Sequence, residues 1–393
     1  MTILKTISIL TLSSALSYSL FAQEAPAPYA EAIEAIKAVQ NEGEGNEAAA
    51  AAWKQIIQGD ATSVVPVLEA MNGSNGLASN WLISAAQAIV DRELSNGNAL
   101  PLEQLGAFLM DTRQEARARR LAFELIQRVD PETAQKLVPG MINDPSNALR
   151  RDAVAGLLDE GKAMVEADKK PAASIVYRQA LGAARDIDQV ESASKALQEL
   201  GQKVDLPKHF GFLMHWSVIG PFDNTERKGF DVAFPPEKGV DLAGEYDGKA
   251  GKVSWSRLAT SDDYGMVDVN KAYGELKEVT AYAYTEYEAP NDQPVQLRLG
   301  CKNAWKIWLN GELVFARDEY HRGIRIDQYQ LPVNLKKGKN TLLVKLCQNE
   351  QEEDWTVQWQ FQLRVCDATG TALLAANRLP TPSSKQTRAR NES

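Results

Sequence analysis

DLPKHFGFLMHWSVIGPF, residues 205–222, is where this chain changes character. Upstream the sequence is rich in Ala, Leu, Gln and Glu at helical spacing. Downstream come short alternating runs studded with aromatics. Six of the eight Trp, seven of the ten Phe and eight of the eleven Tyr lie after residue 206, so the two parts have different core chemistry. The expectation is a multidomain chain, α then β: an α-helical, solenoid-like repeat domain over 23–205 and an antiparallel β-sandwich over 206–370.

Working upstream, helices are expected over 29–40, 47–58, 62–72, 77–95, 101–110, 113–129, 131–142, 146–168, 171–185 and 188–201. NEGEGN (41–46), NGSNG (72–76) and SNGN (95–98) supply Gly and Asn for left-handed caps and turns. Asp130-Pro131 and Asp144-Pro145 each offer an N-cap followed by Pro at the first helical position. Short helices with short connections favour antiparallel pairs stacked side by side. ARARRLAFELIQ (116–127) and DPSNALRRDAVAGLL (144–158) resemble HEAT-type helices. ASIVYRQALGAARDIDQVESASKALQELG (173–201) is closer to a tetratricopeptide pair, and no clean period is visible.

Downstream, HWSVIGPF (215–222), VSWSRL (253–258), VTAYAYTEY (279–287), PVQLRLG (294–300), AWKIWLNGELVF (304–315), TLLVKLC (341–347) and WTVQWQFQLRV (355–365) read as strands. Asn310-Gly311 between two apolar runs calls for a two-residue type I′ hairpin. In the last run Trp355, Val357, Trp359, Phe361, Leu363 and Val365 alternate with polar residues, the pattern of a strand with one buried and one wet face. Seven or more such strands imply a sandwich. WSVIGPFDN (216–224), KIWLNGELVF (306–315), LKKGKNTLLVKL (335–346) and WQFQLRVCDATG (359–370) together resemble the galactose-binding-like jelly-roll modules of exported bacterial proteins. That resemblance implies a non-catalytic module that often binds carbohydrate and in other cases serves protein contacts.

Residues 1–22 read as a secretory signal peptide, with Lys5 as the positive region, Ile7–Leu20 as the apolar run and Ala22 before the cleavage point. The mature chain is then expected to be exported, periplasmic or secreted, with no membrane span. Net charge is −9, which excludes nucleic acid as a probable partner class on electrostatic grounds. Cys301, Cys347 and Cys366 all fall in apolar runs and read as buried small hydrophobes; no Cys lies near a His and there is no CxxC, so no zinc site is expected. RLPTPSSKQTRARNES closes a segment, 371–393, expected to be a disordered tail.

Candidate ligand contacts concentrate in ARDEYHRGIRIDQYQLP (316–332): Arg317, Tyr320, His321, Arg322, Asp327 and Gln328 combine planar hydrogen-bonding groups with an aromatic face. The alternative is an exposed loop with internal ion pairs, Arg317 to Asp327 among them. NEQEEDW (349–355) is a second polar loop expected at the same rim. Trp308 should face away from the core, either as a stacking platform or covered by the helical half. No catalytic set is evident: the three His (209, 215, 321) stand apart and there is no GxSxG, HExxH or P-loop. No cofactor is expected; a structural calcium at Asp262, Asp263 and Asp268, or at Asp223 and Asp231, is the one metal option. The reading is an exported non-enzymatic binding protein whose partner is a glycan or an envelope protein. A structural or assembly protein is the alternative, and a glycan-active enzyme the third.

Overall fold

The structure, a computed structural model, describes residues 29–383. The signal-peptide expectation and the last ten residues of the expected tail lie outside them. The chain is α then β, and it divides into two compact units, 1–134 and 135–393.

The first unit is helical: α1 (Ala30–Lys37), α2 (Asn46–Ile56), α3 (Val64–Glu69), α4 (Gly76–Ser95), α5 (Leu102–Met110) and α6 (Ala116–Val129), with α7 (Pro131–Leu137) running across the division. Sequence makes these helices in the ordinary way. In α4, Ala78, Leu82, Ala85, Ala86, Ile89 and Val90 are buried at three- and four-residue steps, and the Asn75 side chain accepts from the Ala78 N–H to cap the first turn.

The second unit opens with α8 (Asn147–Glu166), α9 (Lys170–Ala183), α10 (Ile187–Glu199) and the short α11 (Leu206–Phe210). Twelve strands follow: β1 (His215–Asp223), β2 (Glu245–Gly248), β3 (Gly251–Ser254), β4 (Ser256–Ala259), β5 (Val267–Asp268), β6 (Val279–Ala289), β7 (Gln293–Cys301), β8 (Ala304–Leu309), β9 (Glu312–Arg317), β10 (Tyr329–Leu335), β11 (Gly338–Gln348) and β12 (Gln360–Cys366). They form a six-stranded sheet, β4-β1-β6-β11-β8-β9, a four-stranded sheet, β10-β7-β12-β5, and a separate β2-β3 ribbon. All pairings are antiparallel. Inward residues of the two larger sheets, including Val218, Ala283, Ile307 and Val344 from one and Leu297, Leu299, Phe361 and Leu363 from the other, form one apolar core. Trp359, wholly buried, belongs to it.

The 310–311 turn is as expected: Asn310 and Gly311 both have positive φ, at 54° and 83°, which a type I′ turn requires. Asn340 explains the second half of that motif. It is fully buried, and its amide accepts from Asn310 Nδ2 at 3.0 Å and the Lys336 N–H at 3.0 Å, tying the turn before β11 to the hairpin.

Both outer faces of the sandwich are covered, and this departs from the alternating in-and-out reading. On the six-stranded sheet, Ile219, Phe222, Tyr282, Tyr284, Trp308 and Leu343 lie beneath Phe234, Val240, Tyr246, Val253 and Trp255 from the β1–β4 connection. On the four-stranded sheet, Gln362 and Arg364 were expected to be wet and are buried. Helices provide the cover there. Val154, Ala180, Val190 and Ala193 of α8–α10 share one cluster with Leu206, Phe210, Phe212 and Met214. The composition break at 206, expected as a domain boundary, thus falls inside this cluster and inside the second unit.

Residues 371–383 correct the tail expectation in part. Leu373 N–H donates to Val365 O at 3.0 Å, Ala376 N–H to Glu288 O at 2.9 Å, and Arg378 Nη1 to Phe212 O at 2.7 Å. Backbone pairing, which a composition-based reading does not see, fastens this strap to the sandwich. The three cysteines are buried and unpaired, and burial pushes the Cys301 thiol up to about 12 and the Cys347 thiol up to about 11.

Candidate ligand-binding rim

The β9–β10 connection, 318–328, carries the expected contact residues, and the structure sends its two ends to different places. His321 and Asp327 both have positive φ, 55° and 57°, so the chain turns sharply at each.

The first end sits at a rim of the sandwich. Glu319 lies between two guanidinium groups, Arg317 Nη2 at 2.7 Å and Arg322 Nε at 2.9 Å. Arg322 keeps 63% of its side chain exposed in this pairing. Tyr320 points inward: its hydroxyl accepts from Asn224 Nδ2 at 3.2 Å, its ring packs against Phe230, Ala304 and Cys347, and the Arg227 guanidinium lies 5.2 Å from the ring centre. Burial drives its hydroxyl pKa upward, with the Cys347 thiol adding to that effect.

His321 joins the loop to its neighbour. Its Nε2 lies 2.6 Å from Asn349 Oδ1, which places the ring proton on Nε2. Burial lowers its pKa, the bond to Asn349 opposes that, and Lys277, Lys302 and Arg227 reinforce it. The ring stands edge-on to Trp355, 5.4 Å between centres at 84°. The two polar loops therefore meet at one rim, as expected.

Trp355 is the residue the sequence reading misplaced. It was expected to face inward as the first residue of a strand. It lies in a 3₁₀ turn (Asp354–Thr356), ahead of β12, with 54% of its surface exposed. Lys302 Nζ donates to its carbonyl at 3.2 Å and also bonds Gln358 Oε1, and the Arg322 N–H donates to Lys302 O at 3.2 Å, so Lys302 links the Trp355 backbone to the 318–328 connection. Arg227 pairs with Glu350 along the same rim and holds the Glu350 carboxyl below its usual range.

The second end of the loop belongs to the opposite environment. Asp327 accepts from Arg364 Nε at 2.7 Å and Nη2 at 2.5 Å, and from Arg298 Nη1 at 2.7 Å. Burial works against the Asp327 carboxylate, but the bonds and charges of the two arginines outweigh it and the pKa is lowered. Gln328 accepts from the Cys301 N–H at 3.2 Å and donates to Gly323 O at 2.9 Å. The anticipated Arg317–Asp327 pair is replaced by these partners. Of the seven candidate contacts, Arg317, His321 and Arg322 gather at the rim. Tyr320, Asp327 and Gln328 hold the loop in place, and Trp308, 8% exposed, is covered by the β1–β4 connection.

The acids weighed for calcium are engaged locally. Asp262 accepts from the Tyr264 and Met266 N–H groups, and Asp223 pairs with Lys249 at 3.1 Å. Among the described residues no group of three or more His, Cys, Asp or Glu is placed to hold a metal ion, and no helix is long and apolar enough to cross a membrane.

No protein-family signature matches the chain, and no curated protein does. Among solved structures, the PA14 sugar-binding domain from an RTX adhesin is 13% identical with a TM-score of 0.22, over 39% of this chain and 89% of that one. A β-glucosidase from Kluyveromyces marxianus in complex with glucose is 17% identical with a TM-score of 0.18, over 23% and 10%. A Faecalibacterium prausnitzii β-glucuronidase is 13% identical with a TM-score of 0.23, over 36% and 21%. The chain spans 10% and 21% of the length of these two enzymes. At these scores the likenesses say nothing of what this chain binds.

Proposed function

We propose that this is an exported, non-enzymatic binding protein whose sandwich holds a carbohydrate at the 319–322 and 349–355 rim. The observation that carries the reading is the exposed Trp355 ring, standing perpendicular to the His321 ring at the rim where the Lys302 ammonium bonds the Trp355 carbonyl and Gln358. An aromatic face covers the apolar C–H surface of a sugar, and planar charged or amide groups pair with neighbouring hydroxyls. Export rests on the leader-like residues 1–22. The non-enzymatic reading is supported by the sequence, which holds no GxSxG, HExxH or P-loop set.

An open polar rim gains little net energy per hydrogen bond, so the expected affinity is weak, with Kd on the order of 0.1–1 mM. The test is a glycan-array screen of the full chain, followed by affinity electrophoresis of Trp355→Ala on any glycan retained. Retention by the parent and loss in the variant supports the rim. A parent that retains no glycan, or a variant that retains it undiminished, overturns the reading.

A further inference from the structure

A second pocket, away from the rim, lies where the helices meet the four-stranded sheet. It is a cavity of about 160 Å³ lined by the end of α9 (Gly182, Ala184, Arg185), His209 and Phe210 of α11, Arg364 of β12, and Gly370–Ala372 of the strap. That is room for several waters or one small ion. Two guanidinium groups and an imidazole face it, and no carboxylate lines it.

Among the described residues Arg185 has no acidic partner. Its bonds go to Gly182 O at 2.8 Å, Ala184 O at 2.7 Å and, from Nε and Nη2, to the Thr371 hydroxyl at 3.2 and 2.9 Å. Arg364, only 3% exposed, spends two bonds on Asp327 and two on Phe210 O and Gly370 O, both at 3.1 Å. A guanidinium has five N–H donors, so each of these has one to spare. The carboxylate that could neutralise Arg185, Asp367, is turned to its own loop: its Oδ1 accepts from the Thr369 N–H at 2.8 Å, the Thr369 hydroxyl at 2.7 Å and the Thr371 N–H at 2.9 Å. The electrostatics agree with a surplus of positive charge. Burial, with Arg150 beside it, pulls the Arg185 pKa down to about 10, and burial with Arg185 and Arg364 pulls His209 down to about 4.

We infer that this pocket binds one oxyanion group, a carboxylate, sulfate or phosphate, clamped between Arg185 and Arg364 with the Thr371 hydroxyl as a further contact. The two guanidinium groups supply charge-assisted bonds in a place already desolvated, where such bonds count for most. Arg185 also lines a wider groove of about 510 Å³, where Asp186 and Asp188 are paired with Arg151 and Glu191 accepts from the Tyr264 hydroxyl. With one spare donor on each guanidinium and a cavity of about 160 Å³, the ligand is a single anionic group, either a free ion or the charged end of a larger body such as a uronic acid.

The test is titration calorimetry and thermal melting of the full chain at pH 7 with sulfate, phosphate, acetate and glucuronate, at ionic strength fixed with chloride. The expected result is saturable one-to-one binding with a raised Tm for at least one oxyanion. Arg185→Gln should weaken it at least tenfold. Arg185→Lys, which keeps the charge and loses the fork, should weaken it measurably and serves as the test variant if Arg185→Gln fails to fold. Glucuronate at least tenfold tighter than acetate assigns the charged end of a sugar acid; equal affinities assign a free ion. Trp355→Ala should leave the anion isotherm unchanged, which separates this site from the glycan rim. No isotherm and no Tm rise over chloride in the parent, or full binding in both Arg185 variants, would mean that the arginines only fasten the helices to the sheet.

Discussion

The two ends of the 318–328 connection are ten residues apart in sequence and live under different physics. At Glu319–Arg322 the charges are half in water: Arg322 is 63% exposed and Arg317 43%, and their pairing with Glu319 is of the kind that contributes little to stability. At Asp327 the charges are nearly sealed, Arg364 at 3% and Arg298 at 11% exposed. There each group has given up its water and depends on its partners. One connection therefore presents a surface at one end and acts as a clasp at the other. Residue type alone does not separate the two, because Arg and Asp occur at both.

The sharpest way to break this contrast is at the sealed end. Asp327→Ala strands two buried guanidinium groups, and the loss should be about 3 kcal/mol, since removing one partner of a buried pair leaves an uncompensated charge. Asp327→Asn, keeping an acceptor without the charge, should recover part of it. Urea melts measure both. A loss below about 0.5 kcal/mol, the range of an ordinary surface substitution, would mean that this end is as wet as the other.

Acid offers the next largest effect, again on the sealed side. His209 has its folded pKa pulled from 6.5 down to about 4 by burial and by Arg185 and Arg364. The unfolded chain then binds the proton first, so stability is full above pH 6.5 and falls as pH drops toward 4. By pH 5 the loss from this one group should be on the order of 1–2 kcal/mol, allowing for its partial exposure. Comparing parent and His209→Gln melts at pH 7 and pH 5 isolates it. The same slope in both proteins would show that the imidazole does not titrate in this way.

Tyr320 belongs to the rim end but points into the protein, and its substitution should have an intermediate effect. Tyr320→Phe keeps the ring beneath Arg227 and removes only the acceptor for Asn224 Nδ2, so about 1 kcal/mol should be lost. Ligand retention at the rim should survive, because the hydroxyl points into the protein.

The helices, the antiparallel strands and the Asn310-Gly311 hairpin were legible because each is written in local spacing or in a residue that tolerates positive φ. What covers the sheets was not legible. Gln362 and Arg364 read as a wet face because polar residues alternate with apolar ones whether the polar side meets water or meets Phe210 O, Tyr264 O and Asp327 across a packed seam. Trp308 read as outward for the same reason, with its cover supplied by residues some 55–75 positions upstream. Trp355 failed differently: alternation was carried back past Trp359 through Val357, and a 3₁₀ turn placed on an alternating run leaves no trace in that pattern. The one signal present was the acidic run 350–354 immediately before it. An unbroken polar run followed by a lone Trp marks a loop end as well as it marks a strand start. Asp327 and Gln328 looked like ligand contacts because the side chains that satisfy a buried arginine are the same ones that recognise a hydroxyl.

The smallest expected change in stability is at the rim, and it is paired with the largest expected change in binding there. Trp355 contributes little to the core, being 54% exposed, with the His321 ring standing perpendicular to it 5.4 Å away. Trp355→Ala should therefore cost less than about 0.5 kcal/mol in denaturant melts, the range of surface substitutions. The same change removes an exposed aromatic face from the rim, so retention on a bound glycan should fall at least tenfold, which is about 1.4 kcal/mol. Each measurement constrains the other. A large stability loss would mean that the ring packs on its neighbours in solution and the rim is a second clasp. Unchanged stability with unchanged retention would place the sugar elsewhere. Only lost binding on an intact fold keeps the surface at one end of the loop and the clasp at the other.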